Sequence, residues 1–206
     1  MKLFITAIGT DNGKTLVSAI LCEALRADYW KPVQTGPAPY DSDTVKDLVS
    51  YPVHLHPERH ILATPASPHY AAQMEGKTIA LSDFELPFTT NHLIVEGAGG
   101  VLVPLDGKGD FVIDIAARFN LEIVLVIRLY LGAINHALLS LHELKRRGVK
   151  VKGLVFNGAD TFGAISIITH LFPLPILLHL EEEAITQATV QKYAAKESLL
   201  AIKKMV

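Results

Sequence analysis

Short runs of β-favouring apolar residues, glycine-bearing polar stretches and segments of helical periodicity follow one another along this chain, and that alternation constrains its fold more than any other feature. Strands that are apolar on both faces and separated by helices pair in parallel, with helices covering both sides of the sheet. The pattern predicts strands over Leu3–Thr6, Asp28–Lys31, His92–Glu96, Ile123–Ile127, Val151–Phe156 and Ile176–Leu178. It predicts helices over Lys14–Ala27, Asp41–Ser50, Asp110–Phe119, Ala133–Arg147 and Phe162–His170, with a final helix near Ala184–Lys204. Gly36, Pro37, Gly97, Gly100, Gly132, Gly148 and Pro173 punctuate the junctions. The expectation is an α/β, three-layer parallel sheet with helices on both faces.

At 206 residues, 50% of them hydrophobic and 19% charged, a single domain spanning residues 1–206 buries a core without help from disulfides or metals. The formal net charge of -2 gives no electrostatic reason to expect nucleic acid. Cys22, the lone cysteine, falls in the apolar pattern of the first helix and is expected to be buried and inert. Asp11, Asn12 and Lys14 interrupt the first apolar stretch before it reaches the length of a secretory signal. The apolar stretch from Leu121 to Ile134 contains Glu122 and Arg128 and is too short to span a bilayer. These features point to a soluble, cytoplasmic protein with no membrane partner.

In an open parallel sheet, ligands bind beyond the carboxyl ends of the strands. The segments Ala7–Lys14, Lys31–Gly36, Glu96–Gly100, Arg128–Asn135 and Asn157–Asp160 all follow predicted strands and are expected to converge on one edge. The first is the most specific. Ala7-Ile8-Gly9-Thr10-Asp11-Asn12-Gly13-Lys14-Thr15 stands between a strand and a helix, as a phosphate-binding loop does. Glycine lets successive N–H groups turn toward an anion, Lys14 adds a charge, and Thr15 offers a hydroxyl to Mg²⁺. Ala7 stands where the strict spacing asks for glycine. The alternative is a glycine turn with a solvated lysine, and the flanking strand and helix weigh against it. The chain is thus expected to bind a nucleoside triphosphate on a phosphate-loop NTPase-like fold.

The other strand ends add groups suited to phosphoryl chemistry. Lys31 is either a surface lysine capping its strand or a second cation in the phosphate site. Asp43, within Asp41-Ser42-Asp43, is a candidate Mg²⁺ ligand, while Asp41-Ser42 also suits a helix cap. Glu96 ends an apolar strand and precedes Gly97-Ala98-Gly99-Gly100, where a second metal-binding carboxylate and close approach of a ligand are expected. Gly132–Asn135 opens a helix whose free N–H groups suit a carboxylate. His136 reads equally as packing or as ligand. His54, His56 and His60 lack the cysteine or helix context of a zinc motif and read as a solvated loop.

Taken together, these segments resemble the dethiobiotin synthetase family, in order from Leu3 to about Pro175. The family's G-T-x-T-x-x-G-K-T loop falls on Ala7–Thr15, its K-P-V-x-[ST]-G on Lys31–Gly36 and its S-D pair on Ser42-Asp43. Its P-x-S-P-H followed by E-G falls on Pro65–His69 and Glu75-Gly76, its E-G-A-G-G-x-x-x-P-L on Glu96–Leu105, and its L-G-x-I-N-H on Leu131–His136. The resemblance implies biotin biosynthesis by a ligase: ATP- and Mg²⁺-dependent ring closure of 7,8-diaminopelargonate with CO2 through a carbamate and a carbamic-phosphoric anhydride. It implies catalytic roles for Lys31, Lys14 and Thr10, and Mg²⁺ held by Thr15, Asp43 and Glu96. It places nucleotide contacts on Asp11, Asn12, Gly13, Leu16, Gly97, Ala98, Gly99, Asn157 and Gly158. Substrate contacts fall on Thr35, Pro65, Ser67, Gly132, Ala133, Ile134 and Asn135, the last four reaching the partner's site in a homodimer.

Ala7, Ile8, Asp11, Tyr130 and Leu178-His179-Leu180-Glu181 depart from the family pattern, the last where a nucleobase loop reads G-x-I-P. Rival readings are a nucleotide-switched partitioning or regulatory ATPase, and a family member that binds ligand with weak turnover.

Overall fold

The computed structural model describes residues 1–199. In chain order its elements are β1 (Lys2–Ala7), α1 (Lys14–Leu25), β2 (Asp28–Trp30), β3 (Val33–Thr35), α2 (Asp41–Leu48), β4 (Leu55–His56), β5 (His60–Leu62) and α3 (Pro68–Met74). They continue with β6 (Leu93–Gly100), α4 (Val112–Arg118), β7 (Glu122–Arg128), α5 (Ala133–Arg146), β8 (Val151–Asn157), α6 (Ala164–Leu171), β9 (Ile176–Leu180) and α7 (Gln187–Ala194). The main sheet has seven strands in the order β4-β2-β6-β1-β7-β8-β9, every pairing parallel.

Strand side chains alternate between faces, and the two cores follow that period of two. From β1 and β7, Leu3, Ile5, Val124 and Val126 join a buried cluster with Val17, Ile20 and Leu21 of α1, Val45 of α2 and Val190 of α7. Phe4, Ile123, Leu125 and Ile127 face the other way, onto Ala71 of α3, Ile113 of α4, Leu141 of α5 and Ile168 of α6. Helices on both faces explain why these strands read as unbroken apolar runs. The expected three-layer α/β architecture is present. Cys22 lies buried in the α1-side core, and burial raises its thiol pKa well above the ordinary value.

Several elements differ from the sequence reading. β3 and β5 form a small parallel pair outside the main sheet, α3 follows them, and β4 is an edge strand; none was anticipated. These strands are two or three residues long, too short to generate an alternating signal. The solvated-loop reading of the histidines fails for His56, which is buried in β4 with Nε2 3.3 Å from Asp28 Oδ2. His60 begins β5, with Nε2 3.2 Å from Asp83 Oδ2. β6 does not stop at Glu96 but runs to Gly100, because Gly97 lets it pass the Phe4 ring: a Cβ there would come within 2.9 Å of Phe4 Cε1. The last expected helix is broken after α7: residues 197–199 are helical again, and the part of that expectation beyond residue 199 lies outside the described residues.

Candidate active site

β1 delivers the chain into the 8–13 loop, and α1 begins at Lys14. The turn needs left-handed backbone: Gly13 caps α1 with φ 93°, and Asp11 takes φ 56°. A side chain at Gly13 would collide with Asn157, whose Nδ2 lies 2.5 Å from where a Cβ would stand. Lys14 is 8% exposed and its Nζ is 3.4 Å from the Gly9 carbonyl oxygen. Burial lowers its pKa, partly opposed by the Glu96 charge. A desolvated ammonium without a contacting carboxylate favours a bound anion.

Lys31, immediately after β2, is 3% exposed, so it is not a surface strand cap. Its Nζ sits 2.6 Å from Asp41 Oδ2, 3.1 Å from Glu96 Oε1 and 3.0 Å from the Gly97 carbonyl oxygen. Burial alone would depress its pKa, but the Glu96 and Asp41 charges outweigh that and the net shift is upward. Asp41 is held below the ordinary carboxylate value: burial would raise it, and Lys31 and Thr15 overcome that effect. Glu96, at the carboxyl end of the regular part of β6, accepts from Thr15 Oγ1 at 3.0 Å and from Tyr29 OH at 3.0 Å, as well as from Lys31.

The acidic residue of this constellation on α2 is Asp41, and Asp43, the expected ligand, stands outside it. Thr15 Oγ1 donates to Asp41 Oδ1 at 3.1 Å, whereas Asp43 Oδ2 accepts the Tyr40 backbone N–H at 2.9 Å and caps α2. Two residues along a helix differ by about 200° in direction, so the two carboxylates cannot share one side. Thr15, Asp41 and Glu96 bring a hydroxyl and two carboxylates together, hard oxygen donors that fit Mg²⁺.

Thr10, Asp11, Gly13, Lys14, Thr15, Lys31, Thr35, Asp41, Glu96, Ala98 and Gly99 line one cleft of about 420 Å³. A second groove of about 320 Å³ shares Thr10, Thr35, Ala98 and Gly99 with it and adds Pro65 and Ser67. Glu75 ties down the chain just before that wall, accepting the backbone N–H groups of Ala63 at 2.7 Å and Thr64 at 3.3 Å.

Other expected residues stand back from the cleft. Leu16 packs on the α1-side core, and Gly97 offers its carbonyl to Lys31. Asn12 and Asn157 bond to each other behind the loop, and Gly158, with φ 103°, donates its N–H to Leu180. Gly132, Ala133, Ile134 and Asn135 form the start of α5 and line neither groove of their own chain. Leu178, His179 and Leu180 belong to β9 and form no loop; His179 Nε2 lies 2.8 Å from the Gly158 carbonyl oxygen.

Sequence reasoning missed Tyr29 and Gln34. Tyr29 looked like one apolar residue of β2, and Gln34 accepts the Asp41 backbone N–H at 3.3 Å from an unanticipated strand. Only the proximity of Lys31 in sequence could have drawn attention to either.

A parallel sheet with a glycine loop, lysine and threonine between its central strand and α1 defines the protein as a phosphate-loop nucleotide-binding protein. A family model described as an AAA domain matches residues 1–189. The fold is shared with a ParA family ATPase of Chlorobium tepidum (TM-score 0.52, 15% identity, 99% of this chain and 93% of that one). It is shared as well with the MinD cell division protein of Aquifex aeolicus (TM-score 0.51, 10% identity, 99% and 95%). The ATP-dependent dethiobiotin synthetase of Cytophaga hutchinsonii is 52% identical over 95% of this chain and 96% of its own length. That of Christiangramia forsetii is 42% identical over 94% of each. The chain belongs to the ATP-dependent dethiobiotin synthetase family of enzymes. Among the described residues no helix is long and apolar enough to cross a membrane.

Proposed function

We propose that this protein closes the cyclic urea of dethiobiotin from 7,8-diaminopelargonate and CO2 at the expense of ATP. The observation that carries this reading is the buried Lys31, clasped by Asp41 and Glu96 on the wall of a phosphate cleft that shares Thr10, Thr35, Ala98 and Gly99 with the Pro65–Ser67 groove. Lys31 and Lys14 are two cations on one cleft wall, and the adjoining groove offers room for an acceptor. Identity of 52% over nearly the whole chain supports the same reading.

One amine of the diamine adds to CO2 and gives up a proton, forming a carbamate. A carbamate oxygen then attacks the γ-phosphorus as the bond to ADP breaks. The second amine attacks the carbonyl carbon of the resulting anhydride, the carbon–oxygen bond to phosphate breaks, and the ring closes. These steps need oriented reactants and stabilised oxyanions rather than a protein nucleophile. Lys14 and Lys31 neutralise charge on the transferred group and the carbamate, and Thr10 and Thr35 orient the acceptor. Thr15, Asp41 and Glu96 would hold Mg²⁺, which supplies charge neutralisation at the phosphates. Burial of Lys31 and Glu96 strengthens these interactions by lowering the local dielectric.

A homodimer completes the proposal. Leu131 (80% exposed), just before α5, and Leu139 (62% exposed), midway along it, are apolar residues on the surface. Pairing of two copies there would cover them and bring Gly132–Asn135 toward the partner's groove, where the helix start suits the substrate carboxylate. Purified protein incubated with diaminopelargonate, bicarbonate and MgATP should form dethiobiotin, detected by mass spectrometry. No product at saturating substrate would overturn the reading, and a monomeric mass in light scattering would overturn the dimer.

A further inference from the structure

Consecutive carbonyl groups of the phosphate loop are each tied back by a side chain. Gly9 O is approached by Lys14 Nζ at 3.4 Å, and Thr10 O accepts from Asn12 Nδ2 at 2.7 Å. Asp11 O accepts from the Arg128 guanidinium at 3.3 Å, and Asn12 O accepts from Asn157 Nδ2 at 2.9 Å. The Asn12 side chain uses both ends, because its Oδ1 accepts the Arg128 backbone N–H at 3.1 Å. Asn12 is only 4% exposed, and Asp11 and Gly13 on either side of it both have left-handed backbone.

A trans peptide is planar, and its C=O and N–H point in opposite directions. Anchoring the carbonyls of Thr10, Asp11 and Asn12 on one side therefore turns the N–H groups of Asp11, Asn12 and Gly13 to the other. Asp11 and Gly13 are on the cleft wall, whereas the groups that tie the carbonyls belong to Asn12 itself and to the ends of β7 and β8. Left-handed Asp11 costs energy that this network offsets.

We infer that Asn12 and Arg128 are positioning residues that set the phosphate loop in its anion-binding form before nucleotide arrives. They act on the peptide planes that present N–H groups to phosphate and do not need to touch the reacting atoms. The inference rests on the nucleotide site alone and is independent of the diamine chemistry.

The test is calorimetric binding of MgADP and of magnesium pyrophosphate to the full chain and to two variants. Asn12→Leu keeps the volume and the neutral charge while removing both amide bonds, and weakens both ligands by about tenfold. Arg128→Gln, at an exposed side chain, weakens both by about threefold. That deficit persists at high salt, which screens a general charge effect. Thermal midpoints close to the parent's exclude simple loss of structure, and Arg128→Gln keeps the test available if Asn12→Leu does not fold. Unchanged affinity for both ligands in a folded variant overturns the inference. So does weakened ADP with unchanged pyrophosphate, which would assign the network to the nucleoside instead of the phosphates.

Discussion

Exchanging Asp41 and Asp43 for asparagine, one at a time, separates the carboxylate proposed to hold Mg²⁺ from its helix-capping neighbour. Asp41 Oδ2 lies 2.6 Å from Lys31 Nζ, which at an effective dielectric of about 20 gives a bare attraction of ~6 kcal/mol. The Asp41 side chain is 33% exposed, so solvent screening and desolvation reduce the net loss to about 2–3 kcal/mol. Asp41→Asn also leaves Thr15 and Glu96 with a neutral amide where the second carboxylate stood. Loss of a carboxylate that would hold Mg²⁺ should in addition lower turnover at limiting Mg²⁺ by about 10- to 100-fold. Asp43→Asn loses only a charge-assisted helix cap, about 0.5–1 kcal/mol, or ~1–4 °C in the unfolding midpoint. Its turnover should stay within about twofold of the parent. Dethiobiotin formation followed against Mg²⁺ concentration, together with thermal unfolding of the same preparations, reads both quantities. Normal Mg²⁺ dependence in Asp41→Asn, or a larger loss of turnover in Asp43→Asn, would refute the assignment.

Lys31→Met should lower turnover by about 100-fold or more while MgATP affinity stays within about fivefold, if its charge serves the transferred group as proposed; equal losses in both would reduce Lys31 to a nucleotide ligand. Gly97→Ala would set a Cβ 2.9 and 3.0 Å from Phe4 ring carbons and 3.3 Å from the Ile5 carbonyl oxygen. The expected cost is about 1–3 kcal/mol in denaturant unfolding, whereas Gly107→Ala, with open space around it, should be near neutral. Burial lowers the pKa of His56 below its ordinary 6.5, with His54 adding to the shift and Asp28 partly opposing it. The unfolded chain then binds more protons, so stability contributed by His56 is present above pH 6.5 and lost as pH falls through the folded value. Unfolding midpoints measured across that window should fall less steeply in His56→Asn, and an identical slope would contradict the assignment.

The residues themselves determined the alternation of strands and helices, and with it the parallel sheet and the edge where Lys14, Lys31 and Glu96 gather. Apolar runs and glycine turns are local signals, and topology places strand ends on a common side. The direction of each side chain was not legible in the same way. Whether Asp41 or Asp43 faces the cleft depends on how α2 rotates as Ser42, Val45 and Leu48 bury, a long-range packing outcome. The bonds of Asn12, Arg128 and Asn157 join residues far apart in sequence, and no spacing rule announces them. Gly97 read as space for a ligand, but the tertiary structure gives that space to Phe4. Sequence determined which chemical groups arrive at the edge of the sheet, because periodicity and turns are encoded locally. Only the packed structure decided which of them meet, because ångström-scale contacts depend on every element beneath them.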